Sequence, residues 1–132
     1  MTFPATTALY AALLALLYLG LAGFVMAGRM SDNVLHGDGG DDALLKRIRS
    51  HANFSEYVPL TLILVGLLEG QGAGHGLVQG LLLALLVGRI LHPVGMFAPP
   101  NSPRQFACRG GGMLLTLAAM GVAAVLLVLR TA

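Results

Sequence analysis

Charged side chains are scarce in this chain of 132 residues, making up 11% of it against roughly 25% in a soluble domain. Tryptophan is absent, and the single cysteine excludes an internal disulfide. Segments 1–28, 70–88, 90–103 and 110–129 carry no charge at all. Apolar runs of about 18 or more residues are typical of membrane spans. The composition therefore predicts a small polytopic membrane protein and excludes a cytosolic globule, a secreted disulfide scaffold and a nucleic-acid-binding protein.

The first apolar run, Ala5 to Met26, is longer than the core of a signal peptide, which has about 7–15 residues. No lysine or arginine precedes Arg29, so the positive start of a signal peptide is missing as well. We expect this run to be a retained first membrane span.

Hydropathy and helix-breaking residues predict four helices in a single domain of residues 1–132, an all-α bundle of four transmembrane helices. Asp41 or Asp42 is expected to cap the second helix, because a carboxylate there accepts hydrogen bonds from free backbone amides. Pro103 is placed as the first residue of the fourth helix. The predicted helices cover about residues 4–28, 42–69, 77–97 and 103–130.

Basic residues in the connections predict the orientation of the bundle. Arg29, Lys46, Arg47 and Arg49 lie near the first connection, and Arg104 and Arg109 near the third, whereas the second connection has none. Because cytoplasmic loops carry an excess of lysine and arginine, both termini are expected on the non-cytoplasmic side.

Small residues recur every four positions along the third predicted helix, at Gly76, Gly80, Ala84 and Gly88. Small side chains allow helices to approach closely in lipid. The pattern therefore predicts close packing, either within one chain or between copies of it.

Polar residues occur where a membrane helix should have few. At about 100° per residue, Arg49, Asn53, Glu56 and Tyr57 share one face of the second helix. Arg89 and His92 share a face of the third helix, because they are three residues apart. Both groups lie at a similar depth, and charged groups facing lipid are costly. They are expected to face a polar interior.

Two interpretations of this interior are open. In the first, Arg49 and Arg89 pair with Glu56 in an ion-pair network that holds the bundle together. In the second, the surplus of positive charge, with Arg104 and Arg109 nearby at the mouth, binds an anionic ligand in a wet cavity. The excess of arginine over carboxylate favours the ligand.

The segment Arg49–Pro59 resembles the second-helix signature of the MAPEG family, the membrane-associated proteins in eicosanoid and glutathione metabolism, which reads R-x-x-x-N-x-x-E-Y-x-P. Arg89-Ile90-Leu91-His92 is similar to the R-I-x-H of its prostaglandin E synthase branch. The resemblance extends over essentially the whole chain. The glycine-rich connector looks most like the compact bacterial branch, which implies a bacterial inner membrane.

This resemblance implies a homotrimer that binds glutathione between neighbouring subunits and acts on a hydrophobic small molecule from the bilayer as a transferase or peroxidase. It implies that an arginine at the start of the fourth helix stabilises the glutathione thiolate. That arginine corresponds most simply to Arg104, with Arg109 as its rival. No metal site is expected. The resemblance places the following residues at the glutathione: Arg29, Arg49, Asn53, Glu56, Tyr57, Arg89 and His92.

One departure from the family pattern supports a different function. Met96 stands where enzymes of the family often carry a tyrosine that touches the ligand. The alternative is a non-catalytic trimeric membrane module that binds a lipid or stabilises a larger membrane complex.

Overall fold

The computed structural model describes residues 2–132, and within that range it consists of helices and connections with no β-strand. The predicted four helices are confirmed, and every end lies within three residues of its expected position. The helices are α1 (Ala5–Ser31), α2 (Asp42–Gly70), α3 (His75–Met96) and α4 (Pro103–Thr131).

The helix starts follow the expected capping chemistry. Of the two candidate caps of α2, Asp41 is the one used, because its Oδ1 accepts a hydrogen bond from the Leu44 amide at 2.7 Å. Asp42 lies in the first turn and pairs with Lys46 one turn later, at 2.6 Å between Oδ2 and Nζ. Pro103 is the first residue of α4, as predicted.

The start of α1 is capped from a distance by the end of α2. The Glu69 carboxylate accepts hydrogen bonds from the backbone amides of Thr6 at 2.9 Å and Thr7 at 2.8 Å. The first amides of a helix have no partner within it, and a negative charge there is favoured by the helix dipole. Glu69 therefore joins the end of α2 to the start of α1 through residues more than sixty positions apart in sequence.

Helices α2 and α3 form the middle of the bundle. α2 packs against α1, α3 and α4, whereas α1 and α4 do not contact each other within residues 2–132. Fully buried apolar side chains from all four helices fill the centre, among them Leu14, Val65, Leu85 and Ala123. The central position of α2 places its polar face beside both α3 and α4.

Glycine brings α3 and α4 into backbone contact. A Cβ added at Gly88 would lie 2.6 Å from the Gly112 carbonyl oxygen, and one added at Gly95 would lie 2.2 Å from the Arg109 backbone nitrogen. Neither position has room for a larger residue. Of the predicted small-residue pattern, Gly88 lies at this intramolecular contact, whereas Gly76 and Gly80 face open space.

A π-helical turn, Phe106–Gly110, interrupts the regular geometry of α4 next to Gly95. Such a turn inserts one extra residue into a helix, and it occurs frequently at functional sites. It includes Arg109, one of the two arginines proposed from the sequence for the start of this helix.

The outer surface of the bundle is apolar. Large apolar side chains are exposed there, among them Leu16, Leu19, Val125 and Leu129. Because the core is apolar as well, the protein is hydrophobic both inside and outside. By length and composition, α1, α3 and α4 are able to cross a membrane. The chain is therefore a helical membrane protein of the multi-pass type.

Candidate functional site

The polar residues predicted on α2 lie between the second turn of the helix and its middle, from Arg49 to Tyr57. Arg49 and Glu56 are on the same side of α2, with 3.9 Å between Nη1 and Oε1. Their side chains are 53% and 49% exposed, so the pair is accessible rather than buried in the protomer. Of the two arginines in the predicted network, Glu56 thus contacts Arg49, whereas Arg89 has other partners.

Arg89 is fully buried, with 1% of its surface exposed. Its Nη1 donates a hydrogen bond to Asn53 Oδ1 at 2.7 Å, and its Nη2 donates to the Gly112 carbonyl oxygen at 3.4 Å. Arg89 of α3 therefore connects α2 to α4. Its partners are neutral groups, in contrast to the ion pair with Glu56 that one interpretation of the sequence suggested.

Two adjoining cavities lie beside this contact. The larger has a volume of about 450 Å³ and the smaller about 80 Å³. Asn53 of α2, His92 of α3 and Arg109 of the π-turn line both. The wall of the larger cavity is completed by Gln105, Phe106, Gly110 and Met113, and that of the smaller by Arg49 and Met96. The structure thus brings together residues of α2, α3 and α4 that are far apart in the sequence.

The two candidate arginines of α4 differ in position. Both are exposed, but Arg109 lines both cavities, whereas Arg104 at the start of the helix lines neither. The π-turn begins after Arg104 and contains Arg109, and it changes the angular relation of the two residues around the helix axis. The geometry favours Arg109 as the arginine of this site.

Two other predicted residues lie apart from the cavities in one protomer. The Arg29 guanidinium donates from Nη1 to the carbonyl oxygens of Leu35 at 3.3 Å and Gly37 at 2.8 Å, so it holds the connector between α1 and α2. Tyr57 is half-buried on α2 and lines neither cavity. The structure does not bring these two side chains into the cluster.

Four lining residues of the larger cavity were missed from the sequence, namely Gln105, Phe106, Gly110 and Met113. The available signal was the proximity of Gln105 and Phe106 to Arg104 and Arg109. For Met113, one methionine in an apolar helix carries no pattern that points to a site.

The wall of the joined cavities is rich in hydrogen-bond donors. Arg49 and Arg109 are cations, and Asn53 and His92 are able to donate as well. The carboxylate closest to this group is Glu56, through its contact with Arg49. A site with this balance suits a ligand that carries negative charge, with one position for a positive group.

The fold and this polar site define the class: a multi-pass helical membrane protein with a cavity between its helices at one end of the bundle. The comparisons with known proteins make the assignment specific. The sequence profile of the MAPEG family matches residues 7–129, and the chain belongs to that family.

Its relatives include the inner membrane protein YecN of Escherichia coli (strain K12), which is 37% identical over 114 residues. That alignment covers 86% of this chain and 83% of the relative. The protein of the same name from a second Escherichia coli strain has the same identity and coverage. Both names agree with the inner-membrane localisation expected from the sequence. No solved structure matches the chain.

Proposed function

We propose that the protein is a glutathione-dependent integral membrane transferase or peroxidase that acts on hydrophobic electrophiles or lipid peroxides from the bilayer. The main support is the larger cavity, lined by Asn53, His92 and Arg109 beside the apolar outer surface of the bundle. Its volume of about 450 Å³ falls within the ~300–1,000 Å³ range of ligand pockets. The whole chain, residues 1–132, acts as one domain in this proposal.

Glutathione matches the charges of the site. It carries an ammonium group, two carboxylates and a thiol. In the proposed complex Glu56 binds the ammonium, Arg49 binds a carboxylate, and Asn53 and His92 donate hydrogen bonds to the peptide. The contact between Arg49 and Glu56 at 3.9 Å supports this arrangement, because it keeps opposite charges adjacent for a zwitterionic ligand.

The proposed reaction depends on a cation at the sulfur. Most of a free thiol is protonated at neutral pH, since the pKa of a free cysteine is about 8.5. Arg109 stabilises the thiolate, and the proton passes to water. The thiolate then forms a carbon–sulfur bond with the electrophile and displaces its leaving group. With a peroxide, two glutathione molecules are oxidised to the disulfide while the peroxide is reduced to an alcohol and water.

Arg104 has a different place in this proposal from the one that the sequence resemblance implied. It lies at the exposed first turn of α4. There it attracts the anionic peptide toward the cavity mouth, while Arg109 takes the role at the sulfur.

A neighbouring copy completes the site. Arg49 and Glu56 are each about half exposed in one protomer, and side chains of this kind are costly against lipid. In a homotrimer the adjacent subunit covers them, and Arg29 and Tyr57 meet the ligand across that interface. α2 is then a fourth span whose polar side faces protein. The basic connections face the cytoplasm of an inner membrane, and both termini lie on the other side.

The decisive experiment uses the purified protein in detergent. Glutathione binding is measured by calorimetry, and conjugation to a generic electrophile and reduction of a lipid hydroperoxide are followed in parallel. Binding together with turnover in either assay supports the proposal. Absence of both contradicts it.

Met96 supports a second candidate function. It lines the smaller cavity next to Arg49 and Arg109, where family enzymes often have a tyrosine. A thioether offers only a weak hydrogen-bond acceptor there. The alternative is a non-catalytic trimeric module that binds a lipid or stabilises a larger membrane complex. Glutathione binding without turnover, or neither, favours this function.

A further inference from the structure

Arg89 is the largest side chain that the protein buries completely, and nothing in the proposed reaction requires it to touch the ligand. It lines neither cavity. Among residues 2–132 it has no carboxylate partner, and its Nε is buried without a hydrogen bond. Because burying a cation among neutral groups is costly, the fold retains this arginine at an energetic disadvantage. The function of Arg89 therefore lies in the groups that its hydrogen bonds hold in place.

The strongest of these bonds determines the orientation of the Asn53 amide. A guanidinium group has donors only, so the atom of Asn53 that faces Arg89 at 2.7 Å has to be the oxygen. The amide NH₂ group is consequently turned away from Arg89. It lies 4.0 Å from the sulfur of Met113, a weak acceptor in the wall of the larger cavity. Asn53 itself lines both cavities.

We propose that Arg89 is a positioning residue that holds the Asn53 amide with its NH₂ group toward the cavity, so that the ligand group bound there is a carboxylate. This inference rests on the proposed function and specifies which part of glutathione Asn53 recognises. Without Arg89, the amide is free to rotate and to present its oxygen to the cavity, which repels a carboxylate. Arg49 supplies the accompanying positive charge.

Asn53→Asp is the variant that separates this role from a purely structural one. The aspartate has nearly the same shape and still accepts the hydrogen bond from Arg89, and it also neutralises the buried cation. Toward the cavity, however, it presents an oxygen in place of the NH₂ group. We expect a bundle at least as stable as the wild type that no longer binds a carboxylate at this position.

The binding test compares glutathione with two probes, one amidated at the glycyl carboxylate and one at the γ-glutamyl α-carboxylate. For the wild type, one probe should bind at least about tenfold more weakly than glutathione, as expected for one charge-assisted hydrogen bond. In Asn53→Asp that preference should disappear. Gln71→Glu, which makes the same chemical change at the opposite end of α2, should retain it.

Two variants of Arg89 extend the test. Arg89→Lys keeps a donor-only cation and should preserve the preference for the free carboxylate, whereas Arg89→Met should reduce it toward unity. The inference is overturned if Asn53→Asp distinguishes the probes as the wild type does, or if Arg89→Met binds all three ligands with unchanged ratios.

A stability measurement keeps this inference separable from the proposed function. The unfolding midpoint in a detergent titration should be unchanged or higher for Asn53→Asp and lower for Asn53→Ala. A wild type that binds no glutathione contradicts the proposed function and the ligand part of this inference. An Asn53→Ala variant as stable as the wild type contradicts the Arg89–Asn53 contact itself.

Discussion

At the scale of single residues, Arg49 and Glu56 form the most accessible pair of opposite charges in the site. Their separation of 3.9 Å is longer than a strong hydrogen bond, so each is available to a ligand group of the opposite sign. This contrasts with Arg89, whose hydrogen-bonding groups are enclosed by protein. In the proposed function, the exposed pair of Arg49 and Glu56 binds glutathione directly, whereas the enclosed Arg89 supports the site.

The first prediction concerns this pair. Glu56→Gln and Arg49→Ala are each expected to weaken glutathione binding by roughly 1.5–3 kcal/mol, the scale of a hydrogen bond to a charged group. Calorimetric titration of the folded variants provides the measurement. Asp42→Asn, which removes a charge from the exposed start of α2, is the matched control and should bind normally. Wild-type affinity in both site variants would contradict the assignment.

The second prediction compares the two arginines of α4. Arg109→Ala should lower turnover by roughly 100-fold, as removal of one charge-stabilising group does in other enzymes, with a smaller loss of affinity. Loss of the cation should raise the pKa of the bound thiol and move the pH–rate profile upward. Arg104→Ala should affect mainly affinity. Ultraviolet absorbance of the bound thiolate distinguishes them, and its loss in Arg104→Ala alone would reverse the assignment.

At the scale of helices, the contact between α3 and the π-turn determines where Arg109 lies. Gly95 has no space for a Cβ, because the Arg109 backbone nitrogen would be 2.2 Å away. The backbone of α3 therefore sets the position of the turn directly, without an intervening side chain.

We therefore expect Gly95→Ala to displace the π-turn and to destabilise the protein by about 1–3 kcal/mol, as overpacking of a core usually does. Glutathione turnover should fall with it, because Arg109 moves. Gly20→Ala is the control, since a Cβ there meets nothing within 4 Å. Detergent unfolding and the turnover assay measure the two effects. Equal stability of both variants would be inconsistent with this contact.

The link between α2 and α1 gives another prediction at this scale. Glu69→Ala should lower the free energy of unfolding by about 0.5–2 kcal/mol, the usual effect of losing a helix cap. Glu69→Gln should lose less, because its oxygen still accepts one amide hydrogen bond. Glutathione affinity should be unchanged in both, since the cap lies at the end of α2 away from Arg49. A variant that unfolds like the wild type would show that water replaces the carboxylate.

At the scale of the whole molecule, the apolar exterior and the exposed charged pair together suggest self-association. Gly80 faces open space in the protomer, as an interface glycine between copies would. Gly80→Leu in α3 is expected to destabilise a trimer. Gly20→Leu in α1, where the glycine also faces open space, is the matched control. Native mass measurement in detergent reports the assembly. A wild type that is monomeric or dimeric would contradict the homotrimer.

The sequence was sufficient to locate the helices and to place Arg49, Asn53 and His92 on faces that line the cavities. Charge-free runs, an aspartate cap and a helix-initiating proline are local signals, and they located all four helices. The shared depth of Asn53 and Arg89 followed from counting residues along α2 and α3. The sequence left open whether Arg104 or Arg109 faces the cavities, because this depends on how the π-turn rotates the residues around the axis of α4. A π-turn has no characteristic amino-acid composition that would predict it. Glu69 was missed because its partners are distant in sequence.

The hydrogen bonds from Thr6 and Thr7 to Glu69 have a consequence for biosynthesis. The ribosome completes α1 long before it reaches residue 69, so the first turn of α1 has only water or lipid headgroups as partners during that interval. The turn acquires its carboxylate when the end of α2 arrives beside it. The hairpin of α1 and α2 is thus the smallest part of the nascent chain in which the Thr6 and Thr7 amides have their carboxylate partner.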